Sequence, residues 1–195
     1  MRRLALFAAL AITASCGSTA AAPTPTPTRL ATAPVIRTAA PTVNCPSVPG
    51  QPSSKATIVL EKGGTIVIQL RPDKAPKTVS NFTSISNKGQ YDGLTFHRVE
   101  KVPAPFVIQG GDPKGDGSGG GDQCTELSDL PFTKGAVGIA RAGDIRISNL
   151  NQFFICIGDC LFLNNMYTNF GTVISGQDVA DKVVIGDKIK TIRVE

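Results

Sequence analysis

An abrupt change of composition near residue 55 constrains the fold more than any other feature of this 195-residue chain. Residues 16–54 are dominated by Ala, Thr and Pro, and repeated Pro favours an extended spacer because it removes backbone donors. Residues 55–195 instead contain many short β-branched and apolar runs separated by turn signals. A packed domain is therefore predicted for residues 55–195, and that domain is predicted to be mainly β.

The order of the predicted elements favours a barrel. The runs at 56–60 and 65–70 are separated by a Gly-containing turn, which is a hairpin signal. A helix is predicted from Pro76 to about Gly89, with apolar residues at three-residue spacing on one face. The other predicted elements are strands at 95–99, 106–109, 136–140, 153–157, 169–174 and 189–194, and a short helix at 177–183. Many short strands with two helices predict a closed antiparallel barrel, because closure removes exposed strand edges.

Residues 1–15 have the pattern of a secretory signal peptide. Arg2 and Arg3 precede an apolar run that, at about ten residues, is too short to span a bilayer. The following Thr13-Ala14-Ser15-Cys16 resembles a bacterial lipobox, although Thr13 departs from its usual aliphatic residue. We expect Cys16 to carry lipid, palmitate included, and to anchor the linker and domain at the outer face of the cell membrane. The alternatives are an ordinary signal peptide that contains a Cys and, for residues 16–54, a glycosylated Thr-rich stalk.

Charge and motif content exclude several function classes. The 20 basic and 15 acidic residues give a formal charge of +5, which falls to +3 without Arg2 and Arg3 and is too mild to indicate nucleic acid binding. With a single His and no CxxC spacing, neither a metal nor another cofactor is expected. The Gly-rich stretch at 110–121 lacks the Lys-Ser/Thr ending of a phosphate loop and the spacing of a calcium loop. It is predicted to be a surface loop.

Four of the five Cys lie in or just before the domain, at 45, 124, 156 and 160. Export would place them where disulfides form, and four Cys allow three pairings, among which the sequence does not choose. Cys156 and Cys160 could bridge across a turn but not along a continuous strand, and Cys45 could tie the linker to the domain. Buried free thiols are the alternative.

Four motifs in a fixed order give residues 56–195 a specific similarity. They are FHRV at 96–99, FVIQGGDP at 106–113, QFFI at 152–155 and FGTV at 170–173. The chain resembles the cyclophilin family of peptidyl-prolyl cis-trans isomerases. The resemblance implies a closed eight-stranded antiparallel β-barrel capped by two α-helices, with an active site on the outer face of the barrel.

The resemblance also implies that the chain accelerates rotation about X-Pro bonds. Amide resonance opposes that rotation with a barrier of about 18–20 kcal/mol, so the enzyme must bind the twisted amide better than the planar one. The twisted prolyl nitrogen regains a lone pair that can accept a hydrogen bond, and a guanidinium is a permanent donor. Arg98 matches the catalytic Arg of the family, and Gln109 and Phe106 match the other two residues that we assign to catalysis.

Further positions match those that contact substrate in the family. They are Val107, Ala140, Arg141, Ala142, Gln152, Phe154, Phe162, Leu163 and Tyr167. Taken alone, the apolar ones would be interpreted as core residues. Phe162 and Tyr167 stand where many eukaryotic members carry Trp and His, which resembles bacterial members. The expected partners are proline-containing polypeptides and, through Cys16, the membrane; we expect a monomer that binds no nucleic acid.

The sequence departs from the family pattern in two loops. The link between Arg98 and Phe106 is three residues longer than usual, and Arg141 replaces an Asn within a segment that is also followed by a longer stretch. We expect altered substrate preference rather than lost activity. His97 is expected to be a structural, hydrogen-bonding residue, because isomerisation moves no proton.

The leading hypothesis is a lipoprotein isomerase that assists the folding of exported proteins. The alternatives are a non-catalytic proline-motif binding module or holdase on the same fold, and a barrel that binds a small ligand inside.

Overall fold

The computed structural model describes Cys45, Pro52 and residues 54–195. Its strands are β1 (Lys55–Leu60), β2 (Thr65–Leu70), β3 (Phe96–Val99), β4 (Val107–Gly110), β5 (Asp122–Cys124), β6 (Ala136–Ile139), β7 (Ile147–Asn149), β8 (Phe153–Cys156), β9 (Asn169–Ser175) and β10 (Ile189–Val194). Its helices are α1 (Pro76–Asn87), α2 (Gln177–Asp181) and a 3-10 turn at Leu161–Leu163. The predicted signal peptide, Cys16 and most of the predicted linker lie outside the described residues.

Eight strands form one antiparallel sheet in the order β10-β1-β2-β9-β6-β8-β4-β3. The sheet almost closes on itself, because the segment before β3 bonds to the segment before β10. The Phe96 N–H donates to the Asp187 carbonyl at 2.9 Å, and the Ile189 N–H donates to the Leu94 carbonyl at 2.8 Å. The predicted eight-stranded antiparallel barrel with two helices is confirmed. None of the helices in the described residues is long and apolar enough to span a membrane.

The interior of the barrel follows from the two periodicities in the sequence. Alternate residues of β1 and β2 are buried, and the intervening ones are exposed or half-buried. Helix α1 buries Val79, Phe82 and Ile85, whose spacing places them on one face. The ring of Phe82 lies 5.7 Å from that of Phe153 and 5.1 Å from that of Phe170, measured between centroids. One continuous apolar core therefore fills the barrel.

A small second sheet, β5 paired with β7, is absent from the sequence-based prediction. The Gly-rich stretch leads into it and is ordered by Asp112, which is 1% exposed. The Asp112 carboxylate accepts backbone N–H groups of Lys114, Asp116 and Gly117, at 3.1, 3.0 and 2.6 Å. The stretch is thus a loop, as predicted, but one held by a buried carboxylate.

The structure shows which of the four cysteines in or just before the domain are paired. Cys45 and Cys124 form a disulfide with their Cα atoms 5.7 Å apart, which ties the chain upstream of the domain to β5. Cys156 and Cys160 are free and buried. A hydrogen bond with the Cys160 thiol, together with burial, raises the pKa of Cys156, so this thiol stays protonated at neutral pH.

Candidate active site

An open depression of about 470 Å³ lies on the outer face of the sheet. Ten of the twelve residues predicted for catalysis and substrate contact line it: Arg98, Phe106, Val107, Gln109, Ala140, Arg141, Phe154, Phe162, Leu163 and Tyr167. The other lining residues, which sequence reasoning did not assign to the site, are His97, Asp116 and Gly117. We call this depression the groove.

Strand register explains why residues far apart in sequence meet in the groove. Arg98 on β3 pairs with Gln109 on β4, and Gln109 pairs with Phe154 on β8. Phe154 in turn pairs with Gly138 on β6. Directly opposed residues share a face of the sheet, so these four form one row across four strands.

Gly138 leaves room in this row for aromatic rings. A Cβ atom at Gly138 would overlap the Phe154 ring and lie 2.8 Å from the Phe132 ring, which is too close. The Phe132 and Phe154 rings instead stack with centroids 5.7 Å apart and an interplanar angle of 24°. Phe132 and Gly138 therefore support the groove, although neither was predicted. A glycine within an apolar strand was the only available signal for the close approach.

A chain of hydrogen bonds holds the polar side of the groove. Arg98 donates from Nε to Glu100 Oε1 at 3.1 Å and from Nη1 to Gln109 Oε1 at 3.2 Å. Gln109 donates from Nε2 to Gln152 Oε1 at 2.9 Å. The second guanidinium nitrogen of Arg98, Nη2, has no partner among the described residues. The guanidinium is therefore fixed on two sides and retains a free donor.

Gln152 and Ala142 are the two predicted residues that do not line the groove. Gln152 is buried behind Gln109, and its Nε2 donates to the carbonyls of Gly117 and Gly119 at 2.9 and 2.8 Å. Gln152 thus connects Gln109 to the Gly-rich loop. Ala142 lines a separate depression of about 230 Å³.

The apolar side of the groove forms a pocket of aromatic and aliphatic side chains. Phe154 forms one wall, and the Tyr167 ring meets it edge-on with centroids 5.7 Å apart. Phe106 and Phe162 have centroids 5.0 Å apart, and Phe162 is 64% exposed. Val107 and Leu163 are buried in the same cluster. The pocket suits a compact apolar ring that enters from solvent.

The three additional residues between Arg98 and Phe106 lie in a loop whose base is closed by backbone hydrogen bonds. The Glu100 N–H donates to the Val107 carbonyl at 2.8 Å, and the Phe106 N–H donates to the Glu100 carbonyl at 2.9 Å. These bonds close the base of the loop, so residues 101–105 extend outward while Arg98 and Val99 pair with Gln109 and Ile108.

Arg141 contributes a second guanidinium to the groove. Its Nε donates to the Met166 carbonyl at 2.8 Å, and its Nη1 donates to the Ala142 carbonyl at 2.9 Å. The guanidinium carbon lies 4.5 Å from the centroid of the Tyr167 ring, which is a cation–π distance. Arg141 therefore ties its own segment to the segment that carries Tyr167.

The expectation that His97 is a hydrogen-bonding residue is wrong for its side chain. Both ring nitrogens are buried and have no partner among the described residues. The nearby carboxylate of Asp112 is already occupied by backbone donors of the Gly-rich loop. Burial lowers the pKa of His97, with the positive charge of Arg98 acting in the same direction, so the imidazole is neutral at pH 7.

The chain is similar to known proteins over nearly all of the domain. The family model described as cyclophilin type peptidyl-prolyl cis-trans isomerase/CLD matches residues 56–194. Peptidyl-prolyl cis-trans isomerase B of Bacillus subtilis is 43% identical over 141 residues, which cover 70% of this chain and 95% of that protein. A peptidyl-prolyl cis-trans isomerase of Synechococcus elongatus is 40% identical over 148 residues, which cover 72% of this chain and 96% of that protein.

A solved structure agrees with these relatives. The cyclophilin type peptidyl-prolyl cis-trans isomerase of Cryptosporidium parvum, crystallised in the presence of the dipeptide Ala-Pro, superposes with a TM-score of 0.65 at 28% identity. The superposition covers 72% of this chain and 98% of that one.

Proposed function

The chain belongs to the cyclophilin family and is a peptidyl-prolyl cis-trans isomerase, and we propose that the groove around Arg98 carries out the isomerisation. The observation that supports this assignment is the row of Arg98, Gln109 and Phe154 across adjacent strands. It sets a fixed guanidinium with a free donor beside an apolar pocket. An X-Pro bond needs both features, one for the prolyl nitrogen and one for the ring.

The pocket holds the proline ring while the preceding carbonyl turns. The ring lies against Phe154, with Val107 and Leu163 as neighbouring walls. Burying such a ring contributes about 1.5–3 kcal/mol, which is enough to hold it against rotation of the attached peptide. The ring is thereby fixed on one side of the X-Pro bond, and the segment before it remains free to rotate.

Arg98 donates a hydrogen bond to the prolyl nitrogen in the twisted state. A planar amide nitrogen has no available lone pair, so this bond forms only near the transition state and lowers the barrier selectively. Gln109 keeps the guanidinium in place through its 3.2 Å bond and is itself oriented by Gln152. No proton is transferred, which is compatible with a neutral His97 at the edge of the groove.

The groove is proposed to accept Ala-Pro segments of polypeptides. The support is the structure of the Cryptosporidium parvum relative, whose crystals contained the dipeptide Ala-Pro. The residue before proline would then be small, and it would lie near Phe106 and the Arg98 guanidinium, whose carbon is 5.9 Å from the Phe106 centroid.

The chain is further proposed to be exported, lipidated at Cys16 and active in the folding of other exported proteins. The support is the sequence of residues 1–54 and the Cys45–Cys124 disulfide, since structural disulfides persist in oxidising compartments. Expression in a lipoprotein-processing bacterium with labelled palmitate tests the anchor. We expect label and membrane association in the wild type and neither in Cys16→Ser, whereas an unlabelled, soluble wild type would refute lipidation.

A protease-coupled isomerisation assay tests the role of Arg98. The protein is the chain from residue 16 onward, with Cys16→Ser in all samples, and the substrate is an Ala-Pro-Phe peptide. A hydrogen bond to a charged group is worth about 1.5–3 kcal/mol, so Arg98→Ala should lower kcat/KM about tenfold to hundredfold.

Arg71→Ala is the matched control for this assay. Arg71 is a similarly exposed arginine that pairs with Asp73 and does not line the groove. It should leave kcat/KM unchanged. Equal activity of the wild type and Arg98→Ala would refute the assigned role, and a folded wild type that binds the peptide without accelerating it would favour the binding-module alternative.

A further inference from the structure

Arg141 is a positive charge at the groove that has no ion-pair partner among the described residues. Glu100 is paired with Arg98, and Asp144 is paired with Arg146, at nitrogen–oxygen distances of 3.1 and 2.7 Å. Asp144 lies close enough to feel the charge of Arg141, which acts with the stronger hydrogen bonds from Arg146 to lower the pKa of Asp144. Both carboxylate oxygens of Asp144 are nevertheless bound by Arg146. Arg98 therefore has a carboxylate partner in the protein, and Arg141 does not.

Asp116 is the only acidic residue among the described residues that line the groove, and it lies on the far side from Arg141. Asp116 is close enough to His97 on β3 to oppose the lowering of the His97 pKa by burial. Arg141 follows Ala140 at the end of β6, and strands β4 and β8 separate β6 from β3 in the sheet. The side of the groove that Arg141 occupies is therefore positive.

The Arg141 guanidinium is held in place by three backbone carbonyls. Its Nε donates to the Met166 carbonyl at 2.8 Å, and its Nη1 donates to the carbonyls of Ala142 and Gly143 at 2.9 and 3.2 Å. The other terminal nitrogen, Nη2, has no partner in the part of the chain that the structure describes. Because the guanidinium is already fixed, binding an anion through Nη2 costs little side-chain entropy. Arg141 is thus a preorganised donor for an anion.

The distance from Arg141 to the proline pocket fits a side chain close to the proline. The guanidinium carbon lies 4.5 Å from the Tyr167 centroid, and the Tyr167 centroid lies 5.7 Å from that of Phe154. The guanidinium is therefore within about 10 Å of the ring against which the proline is proposed to lie. An extended chain rises about 3.3 Å per residue, so a long side chain one or two residues from the proline reaches Nη2.

We propose that Arg141 determines substrate specificity by binding the carboxylate of an Asp or Glu side chain one or two residues from the proline. The proposal rests on the assignment of the groove to prolyl isomerisation and adds a substrate class, acidic segments around proline. A hydrogen bond from a guanidinium to a carboxylate is charge-assisted, so the acidic side chain is favoured over its neutral isostere. Water screens a half-buried pair of this kind, and the expected preference is therefore about twofold to fivefold.

Three blocked peptides that differ by one charge test this preference: Glu-Ala-Pro-Phe-Gln, Gln-Ala-Pro-Phe-Glu and Gln-Ala-Pro-Phe-Gln. The protein is the chain from residue 16 onward with Cys16→Ser, and exchange spectroscopy of the proline signals measures the catalysed rate below KM. The peptide passes Arg141 on only one side of its proline. One acidic peptide should therefore exchange about twofold to fivefold faster than the neutral peptide, and the other should match it.

Variants of Arg141 show whether this residue carries the preference. Arg141→Gln should abolish it, and Arg141→Lys, which keeps the charge, should retain part of it. The measured quantity is the ratio of the acidic to the neutral rate within each protein, so a change in overall activity cancels. Arg71→Gln is the matched control, because it removes one positive charge away from the groove and should keep the wild-type ratio. About 1 M salt, where the screening length is about 3 Å, should reduce the preference of the wild type.

The outcomes separate this proposal from the assignment of the groove. Catalysis of all three peptides at equal rates would overturn the specificity of Arg141 and leave the groove assignment intact. A preference that persists in Arg141→Gln, or that is lost equally in Arg71→Gln, would also overturn the proposal, because the charge that acts would lie elsewhere. Absence of catalysis on every peptide would remove the groove assignment and the proposal together.

Discussion

Phe153 and Phe154 are consecutive residues on β8, yet they belong to different regions of the molecule. Phe153 faces the barrel interior, where its ring lies edge-on to those of Phe82 and Tyr91 at 5.7 and 5.6 Å. Phe154 faces the groove. The two are 0% and 4% exposed, so burial alone does not separate them.

The two regions differ in what surrounds these rings. The interior is a continuous apolar cluster that helix α1 closes on one side. The groove cluster is smaller, is open to solvent and adjoins the hydrogen-bonded chain of Arg98, Gln109 and Gln152. One strand therefore supplies stability on one face and the proposed substrate contact on the other, because successive side chains alternate between faces.

The largest expected effect is a loss of stability caused by a substitution in the barrel interior. Phe153→Ala should lower the free energy of unfolding by about 3–5 kcal/mol, because it leaves a cavity among packed rings. Urea unfolding of the wild type and the variant at 25 °C measures this change. A fall of less than about 1 kcal/mol in the free energy of unfolding would mean that the Phe153 ring does not contribute to a closely packed core.

The corresponding change on the groove side should act on activity. Phe154→Ala removes the wall of the proline pocket and should lower kcat/KM about tenfold to hundredfold, since it forfeits about 1.5–3 kcal/mol of ring burial. Its effect on unfolding should be smaller than that of Phe153→Ala, because the site opens to water. The prediction would be contradicted if Phe154→Ala were as destabilised as Phe153→Ala and kept the kcat/KM of the wild type. The two faces of β8 would then not differ in function.

Gln152 connects the groove to the Gly-rich loop and should show an intermediate effect. Gln152→Ala leaves the Gly117 carbonyl and the Gln109 amide without their partner, at a cost of about 1 kcal/mol in unfolding, whereas the Gly119 carbonyl keeps its bond from Asn149. It should also lower kcat/KM several-fold by loosening Gln109 and, through it, Arg98. Gln90→Ala, an exposed glutamine away from the groove, is the control and should change neither quantity.

The smallest expected effect is a pH dependence carried by His97. Burial holds the folded pKa of His97 below its unfolded value of about 6.5, so the unfolded chain binds more protons than the folded chain between the two values. The contribution of neutral His97 to stability is therefore fully present above pH 6.5 and declines as the pH falls from 6.5 towards the folded pKa.

The surroundings of His97 keep this effect small, because Asp112 and Asp116 oppose the lowering of its pKa while Arg98 adds to it. Urea unfolding at pH 7.5 and pH 5 should show a smaller loss for His97→Leu than for the wild type. Equal losses in the two proteins would mean that other groups carry the acid sensitivity.

Much of this architecture was predictable because it depends on short-range patterns. The alternation in residues 55–70 and the spacing of Val79, Phe82 and Ile85 placed two strands and a helix within about two residues of their observed bounds. The family resemblance identified ten of the thirteen residues that line the groove. The β5–β7 pair escaped prediction because each strand has only three residues, and Asp122 and Gln123 lack a β-type pattern.

The sequence by itself determined the mainly β domain, the order of its two helices and eight barrel strands, and its resemblance to a family of prolyl isomerases, because periodicities and motifs are local properties of the chain. The family resemblance assigned Phe154 to substrate contact, but only the tertiary structure showed that its neighbour Phe153 belongs to the core, since two adjacent apolar residues look alike in a sequence. The tertiary structure also decided the pairing of Cys45 with Cys124, which are 79 residues apart, and the support that Gly138 gives to the groove. These features depend on which distant segments meet, and register and close packing set those contacts only once the barrel has formed.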